Sequence, residues 1–404
     1  MNMTPKVQSA VSDVDQLIIA QARELSDKLK QHRMEMFPPR AEKDLRQFQL
    51  AEAARFLGVT SGYLRNLSLE GKGPLPQVTP SGRRSYTAQQ LQDMRHFLDE
   101  HGRGTRYVPY RRDGEHLQVI AVVNFKGGSG KTTSAAHLAQ YLALTGHRVL
   151  AVDLDPQASL SAIHGLQPEF DLDENETLYA AIRYDEHRRP LKDVIRKTNF
   201  PGLDIVPGNL ELMEFEHDTP RILAQGQSSE YGRIFFARLD EALASVSDDY
   251  DVVVIDCPPQ LGFLTMSAIC AATAVLITVH PQMLDVMSMC QFLQMLGEVL
   301  NTLKGAGGNM KLDWLRYLIT RYDPQDGPQT QMVAFMRAMF KHHVLTNPML
   351  RSVAISDAAL TNQTLYEVER NQFTRATYDR ALEAMDGVNG EVLDLIHKAW
   401  GRKA

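Results

Sequence analysis

The run Lys126-Gly127-Gly128-Ser129-Gly130-Lys131-Thr132-Thr133 lies between the apolar segment Val119–Val123 and the helical pattern Ser134–Leu144. A strand that feeds a glycine loop that feeds a helix confines the chain to α/β folds whose loop cradles phosphate groups. Gly127, Gly128 and Gly130 let consecutive amides converge on β-phosphate oxygens, and the helix N-terminus adds a favourable dipole. Lys131 then falls on the β and γ oxygens and the Thr132 hydroxyl on Mg²⁺. Ser129 and Thr133 complete the loop's nucleotide-binding set. The common loop pattern has glycine where Phe125 stands, so this loop is a deviant one with an extra lysine, Lys126.

Two further segments give the loop its context. Val149-Leu150-Ala151-Val152-Asp153-Leu154-Asp155-Pro156 reads as an apolar strand ending in alternating carboxylates, and Asp251-Val252-Val253-Val254-Ile255-Asp256-Cys257-Pro258 as a β-branched strand ending in one. Near-continuous apolar runs of this length are strands buried on both faces, and their carboxyl ends meet at the switch point of a doubly wound sheet. The expected fold is therefore α/β, a doubly wound and mostly parallel sheet. Strands Val119–Asn124 and Val149–Asp153 are expected beside Val252–Asp256, and Leu276–Val279 and Leu315–Thr320 are expected to add two more. Asp256 is a candidate metal carboxylate, direct or through water.

With these residues in place the chain resembles the ParA family of deviant-Walker ATPases, relatives of the MinD and nitrogenase iron protein families. The resemblance rests on residues 126–133, 149–157 and 251–265, continues through Leu276–Val279 and Arg351–Glu369, and covers residues 115–404. The long N-terminal extension narrows it to the larger ParA type, most like the RepA proteins of RepABC plasmid replication and partition systems. The resemblance implies ATP and Mg²⁺, a homodimer in which each Lys126 reaches the partner's nucleotide, and slow hydrolysis stimulated by a centromere-binding ParB/RepB-type protein. It also implies non-specific DNA binding in the ATP state and a cytoplasmic, nucleoid-associated location. Asp155 is assigned to orient the attacking water, with Asp153 and Asp256 near the Mg²⁺ shell; a carboxylate is a weak base at neutral pH and positions water more than it deprotonates it. Arg351, Arg337 and Lys341 are expected in the non-specific DNA surface, although Ala354 stands where family members often carry a second basic residue.

Charge is unevenly distributed. The net charge is −6, yet residues 46–112 hold eleven Lys and Arg against five Asp and Glu. Such a basic segment in an acidic protein points to nucleic acid. Gln49–Leu57 reads as a short helix with Ala53, Ala54 and Leu57 inward, Gly58 as a turn, and Thr60 as the cap of a second helix. This is a helix-turn-helix followed by a wing, Gly73–Pro76 and Ser81–Tyr86, of the MerR-like type. Ser61, Tyr63 and Arg65 are expected toward base edges, and Arg55, Arg83 and Arg84 on phosphates. The implied role is repression of the partition genes from an operator.

The divisions expected are an N-terminal dimerisation helix at 1–40, the winged helix-turn-helix at 41–112, and the ATPase domain at 115–404. Val11, Val14, Leu17, Ile18, Leu25 and Leu29 recur at helical spacing, either to hold a dimer or to dock on the same chain, and Phe37-Pro38-Pro39 ends that helix. Residues 165–235 read as an acidic loop followed by short helices at Thr177–Ile182 and Leu191–Arg196. Neither a signal peptide nor a run of about 20 apolar residues is seen.

Three rival readings remain. The tail Val392, Leu393, Leu395, Ile396 and Trp400 with Lys398, Arg402 and Lys403 fits a membrane-associated positioning ATPase of the MinD kind. Cys257, Cys270 and Cys290 lack metal-ligand spacing, which disfavours an iron–sulfur reductase and leaves them expected as small buried hydrophobes. A DNA-binding protein with a decayed ATP site conflicts with the intact lysines, threonines and aspartates.

Overall fold

Near-continuous Val, Ile, Leu and Ala runs become strands because β-branched and apolar side chains fill both faces of a sheet covered by helices. The computed structural model describes residues 14–36, 43, 45–102, 104, 106–224, 234–305 and 311–402. Its main sheet contains β4 (Gln118–Val123), β5 (Val149–Asp153), β6 (Arg196–Lys197), β7 (Leu203–Val206), β8 (Val252–Asp256), β9 (Ala274–Val279) and β10 (Trp314–Ile319). The order is β10-β9-β4-β8-β5-β7-β6, parallel throughout except for the antiparallel edge strand β6. β8 sits between β4 and β5, as the sequence requires. β6 and β7 fall in the stretch that reads from sequence as loop and short helix; the helices Leu178–Ile182 and Leu191–Val194 form as expected, the second ending two residues early.

Alternation along each strand divides the core in two. Ile120, Val122, Val149, Ala151, Val252 and Val254 face one hydrophobic cluster, while Val119, Ala121, Leu150, Val152, Val253 and Ile255 face the other. α5, the phosphate-loop helix (Lys131–Leu144), covers the first face and is buried along most of its length, which its small residues Ala135, Ala136 and Ala139 permit.

The basic segment folds as expected from its signals. α2 (Leu50–Leu57) buries Ala53, Ala54 and Leu57 and ends at Gly58, whose φ of 68° lets its amide return to the last turn. The Thr60 side chain caps α3 (Ser61–Leu69) by accepting from the Tyr63 amide at 3.1 Å. β1 (Phe48–Gln49), β3 (Arg84–Tyr86) and β2 (Gln77–Val78) form a small antiparallel sheet in that order, and a Thr87–Gln90 capping box starts α4 (Ala88–His101). Its core residues Phe48, Phe56, Leu64, Leu91 and Leu98 belong to the same cluster as one face of the main sheet. The described residues from 45 onward thus form one compact unit.

The described residues before 44 belong to a separate unit. Within it α1 spans Val14–Met36 and leaves Val14, Leu17, Ile18 and Leu25 exposed. Val11 and the Phe37–Pro39 stop lie outside the described residues.

Candidate functional site

The loop after β4 is shaped by its glycines. Gly128 (φ 73°) and Gly130 (φ 86°) occupy the left-handed region that favours glycine, and a Cβ on Gly130 would touch Thr320 at 3.4 Å. Strands β9 and β10 grip the loop from behind. Thr320 Oγ1 donates to the Ser129 carbonyl at 2.7 Å, and Ser129 Oγ meets Thr278 Oγ1 at 3.0 Å. Asn124 Nδ2 donates to the Thr278 carbonyl at 2.5 Å while Asn124 Oδ1 accepts from the Lys126 amide at 3.0 Å. Arg321, itself at φ 52°, donates to the Gly128 carbonyl at 3.1 Å. The Ser129 hydroxyl is therefore spent on anchoring the loop. Phe125, in place of the usual glycine, stacks on Phe292 at 5.6 Å.

The carboxylates meet at one end of the sheet. Asp153 and Asp256 are register partners on β5 and β8, both fully buried. Asp153 Oδ2 accepts from the amide and hydroxyl of Ser161, each at 2.7 Å, and Oδ1 from the Asp155 amide at 3.2 Å. Burial nevertheless pushes Asp153 up to about 7. Both oxygens of Asp256 lack a well-formed hydrogen-bond partner. Burial, and then the neighbouring Asp153, raise Asp256 well above the usual carboxylate range, against the opposing pull of the Thr132 hydroxyl and Lys131. Two buried carboxyls and a threonine hydroxyl, with one carboxyl unpartnered, are the donor set of a hard divalent cation, so the residues fit Mg²⁺.

Lys131 is buried, and its Nζ donates to the Lys126 carbonyl at 3.3 Å. Burial lowers its pKa, opposed by Asp256, Cys257 and Asp155. Asp155 closes the group, its Oδ1 accepting from the Gln157 amide at 2.9 Å. Burial raises its pKa too, with Lys131 opposing. An amine desolvated among carboxyls is poised for a polyanion bearing a cation, which would stabilise all of them at once.

Lys126 points elsewhere. Its Nζ pairs with Asp285 Oδ2 at 2.8 Å, on the helix Met283–Gly305 that also carries Phe292. Sequence reading missed Asp285, since nothing local marks it as the partner of a lysine 159 positions earlier.

The sequence-assigned DNA residues divide. Ser61, Tyr63 and Arg65 are exposed on α3, Arg83 is exposed and Arg84 half-buried at the turn into β3. Arg55 is instead held by Asp386 at 2.5 Å. Arg351, Arg337 and Lys341 are all exposed, with Arg337 Nη2 donating to the Thr346 carbonyl at 2.8 Å.

A family model described as an AAA domain matches residues 117–306. "Putative replication protein A" of Sinorhizobium fredii is 59% identical over 404 residues, covering 100% of this chain and 98% of its own. Protein SopA of Escherichia coli K12 is 31% identical over 90% of this chain and 92% of its own. The chain belongs to the ParA family of P-loop ATPases. A solved "Partition Protein" shares the fold of this ParA-family chain with a TM-score of 0.60 at 20% identity, over 92% of this chain and 99% of that one. The cobyrinic acid a,c-diamide synthase of Mycobacterium smegmatis, with bound ADP and magnesium, matches at a TM-score of 0.54 and 26% identity, over 71% and 97%.

Packing in this ParA-family chain also bears on the rival readings. Val392 and Ile396 are fully buried, and Trp400 Nε1 donates to the His116 carbonyl at 2.8 Å, so the tail's apolar face is part of the core and not a membrane surface. Among the described residues no helix is long and apolar enough to cross a membrane, and no group of three metal-ligating side chains forms. Of the cysteines only Cys257 is buried; Cys270 is half-buried and Cys290 exposed, which corrects the expectation of three buried thiols.

Proposed function

We propose that this protein is an ATP-driven DNA-partition switch. The observation that carries the reading is the buried, unpartnered Asp256 beside Thr132 and Lys131 at the mouth of the glycine loop. ATP lies with its phosphates along amides 127–132, Lys131 neutralising the β and γ oxygens and Thr132 with Asp256 holding Mg²⁺. The cation, when bound, offsets charge on the phosphates. Asp153 positions Asp155 and Ser161 through the hydrogen bonds it accepts, and so acts through its neighbours. Asp155 orients the water that attacks the γ-phosphorus.

Lys126 leaves Asp285 and neutralises transition-state charge on the partner's nucleotide. Hydrolysis is slow without a partner because no strong base faces the water. The ATP dimer binds DNA without sequence preference through the Arg351 region, and a centromere-binding protein accelerates hydrolysis and resets it. α3 and the wing read an operator and repress the partition genes, and the exposed apolar stripe of α1 contributes to the dimer.

Light scattering with ATP·Mg²⁺ tests the sandwich. Wild type should dimerise, Lys131→Ala should lose nucleotide binding, and Lys126→Ala should bind nucleotide yet stay monomeric. A Lys126→Ala protein that dimerises normally would refute the trans role.

A further inference from the structure

We infer that the two DNA-binding regions of this chain are parts of one continuous basic face, and that Arg375 and Arg380, at the start of the C-terminal helix, hold the backbone of the operator where it leaves the recognition helix. The inference rests on the helix-turn-helix reading proposed above.

Three clefts carry it. The first is lined by Gln49, Ala51, Arg65, Arg83 and Arg84, and so joins the recognition helix to the wing. The second, about 930 Å³, shares Gln49, Ala51 and Arg83 with the first and runs on to Arg370 and Arg375. The third, about 550 Å³, is lined by Arg351, Ser352, Ser356, Thr377 and Arg380. The helix Arg375–Ala399 divides the second cleft from the third, with Arg375, Tyr378 and Asp379 facing one and Ala376, Thr377 and Arg380 the other. Walking from Arg65 to Arg351 thus crosses no gap wider than one helix.

The charges along this path are not all available. Arg46 is tied to Glu52, Arg55 to Asp386 and Arg370 to Asp379. Among the described residues Arg65, Arg83, Arg84, Arg351, Arg375 and Arg380 have no carboxylate partner, and all but the half-buried Arg84 are exposed. Glu369 and Asp323 are the other acids that line the path. Paired arginines build the clefts, while the unpaired ones remain for an external polyanion. A row of guanidinium groups spread over three adjoining clefts matches the repeated phosphates of a duplex better than one compact anion. Phosphate contacts of this kind fix position and carry no sequence information.

The test uses the full-length protein and two duplexes of equal length, one selected by it from a random-sequence library and one a shuffled version. The double variant Arg375→Ala/Arg380→Ala should bind the selected duplex on the order of tenfold more weakly, with the slope of log affinity against log salt reduced by about two. Its preference for selected over shuffled sequence should persist, whereas Arg65→Ala should lose that preference. Hydroxyl-radical footprinting of the wild type should show backbone protection beyond each recognised half-site, a readout independent of how the variants fold. Unchanged affinity and salt slope, with no protection beyond the half-site, would overturn the inference while leaving the helix-turn-helix reading intact. Failure of the wild type to select any sequence would overturn both.

Discussion

Removing Asp285 should make ATP-driven dimerisation tighter. In the single chain its carboxylate, almost wholly buried, holds Lys126 at 2.8 Å, and the lysine is 42% exposed. A trans role for Lys126 requires that pair to break once in each protomer. A half-exposed ion pair contributes about 1 kcal/mol, so two cost about 2 kcal/mol on dimer formation. At about 1.4 kcal/mol per decade, Asp285→Ala should lower the dimer dissociation constant with ATP·Mg²⁺ by about 30-fold. Analytical ultracentrifugation over a dilution series would measure it, with melting temperature reporting that the helix Met283–Gly305 is intact and Lys126→Ala/Asp285→Ala as the control that should gain nothing. An Asp285→Ala protein that folds but dimerises as wild type, or more weakly, would refute the latch.

Other expectations come from buried polar groups. Asp256→Asn keeps the size of a buried carboxyl that lacks a well-formed partner and whose ionised form burial already disfavours, so the nucleotide-free protein should melt no lower than wild type while the melting shift caused by ATP·Mg²⁺ disappears. Arg95 is buried and donates from Nη2 to the carbonyls of Phe56 in α2 and Leu144 at the end of α5. Arg95→Met should therefore cost about 3–5 kcal/mol, read by chemical denaturation, because two buried carbonyls lose a charged donor. His147 is buried against His397, and burial pushes it down to about 3. Its depressed folded value means that the stability it contributes is complete above the unfolded pKa near 6.5 and is lost as pH falls toward 3, by about 1.4 kcal/mol per unit. Asp153, raised to about 7, contributes with the opposite sign between pH 4 and 7. The clean readout is hence the difference between wild type and His147→Gln, which should shrink from pH 7 to pH 5.

How much the sequence revealed depended on the range of the forces involved. The glycine loop, the strands ending in Asp153 and Asp256, and the Gly58 turn with its Thr60 cap were legible because each is specified within a few residues. Strand β7 and the edge strand β6 were not: Leu203–Val206 is four residues long and pairs with β5 only because the fold places it there. Partners distant in sequence were equally hidden. Lys126 reads as a free cation until Asp285 is seen beside it, Arg55 as a phosphate ligand until Asp386 claims it, and Arg95 as one basic residue among eleven until its burial against α5 appears. The apolar spacing of Val392, Ile396 and Trp400 is the same for a membrane face and a core face, and only packing distinguishes them.

Slow nucleotide hydrolysis across a dimer that forms on DNA is tested most directly by ATPase turnover of the full-length protein with and without non-specific duplex and a centromere-binding partner. Turnover should be slow, should rise with DNA and the partner protein together, and should be lost in both Lys126→Ala and Asp155→Ala, with Asp155→Ala still dimerising on ATP. Turnover indifferent to Lys126, or an Asp155→Ala protein that hydrolyses ATP as fast as wild type, would contradict it.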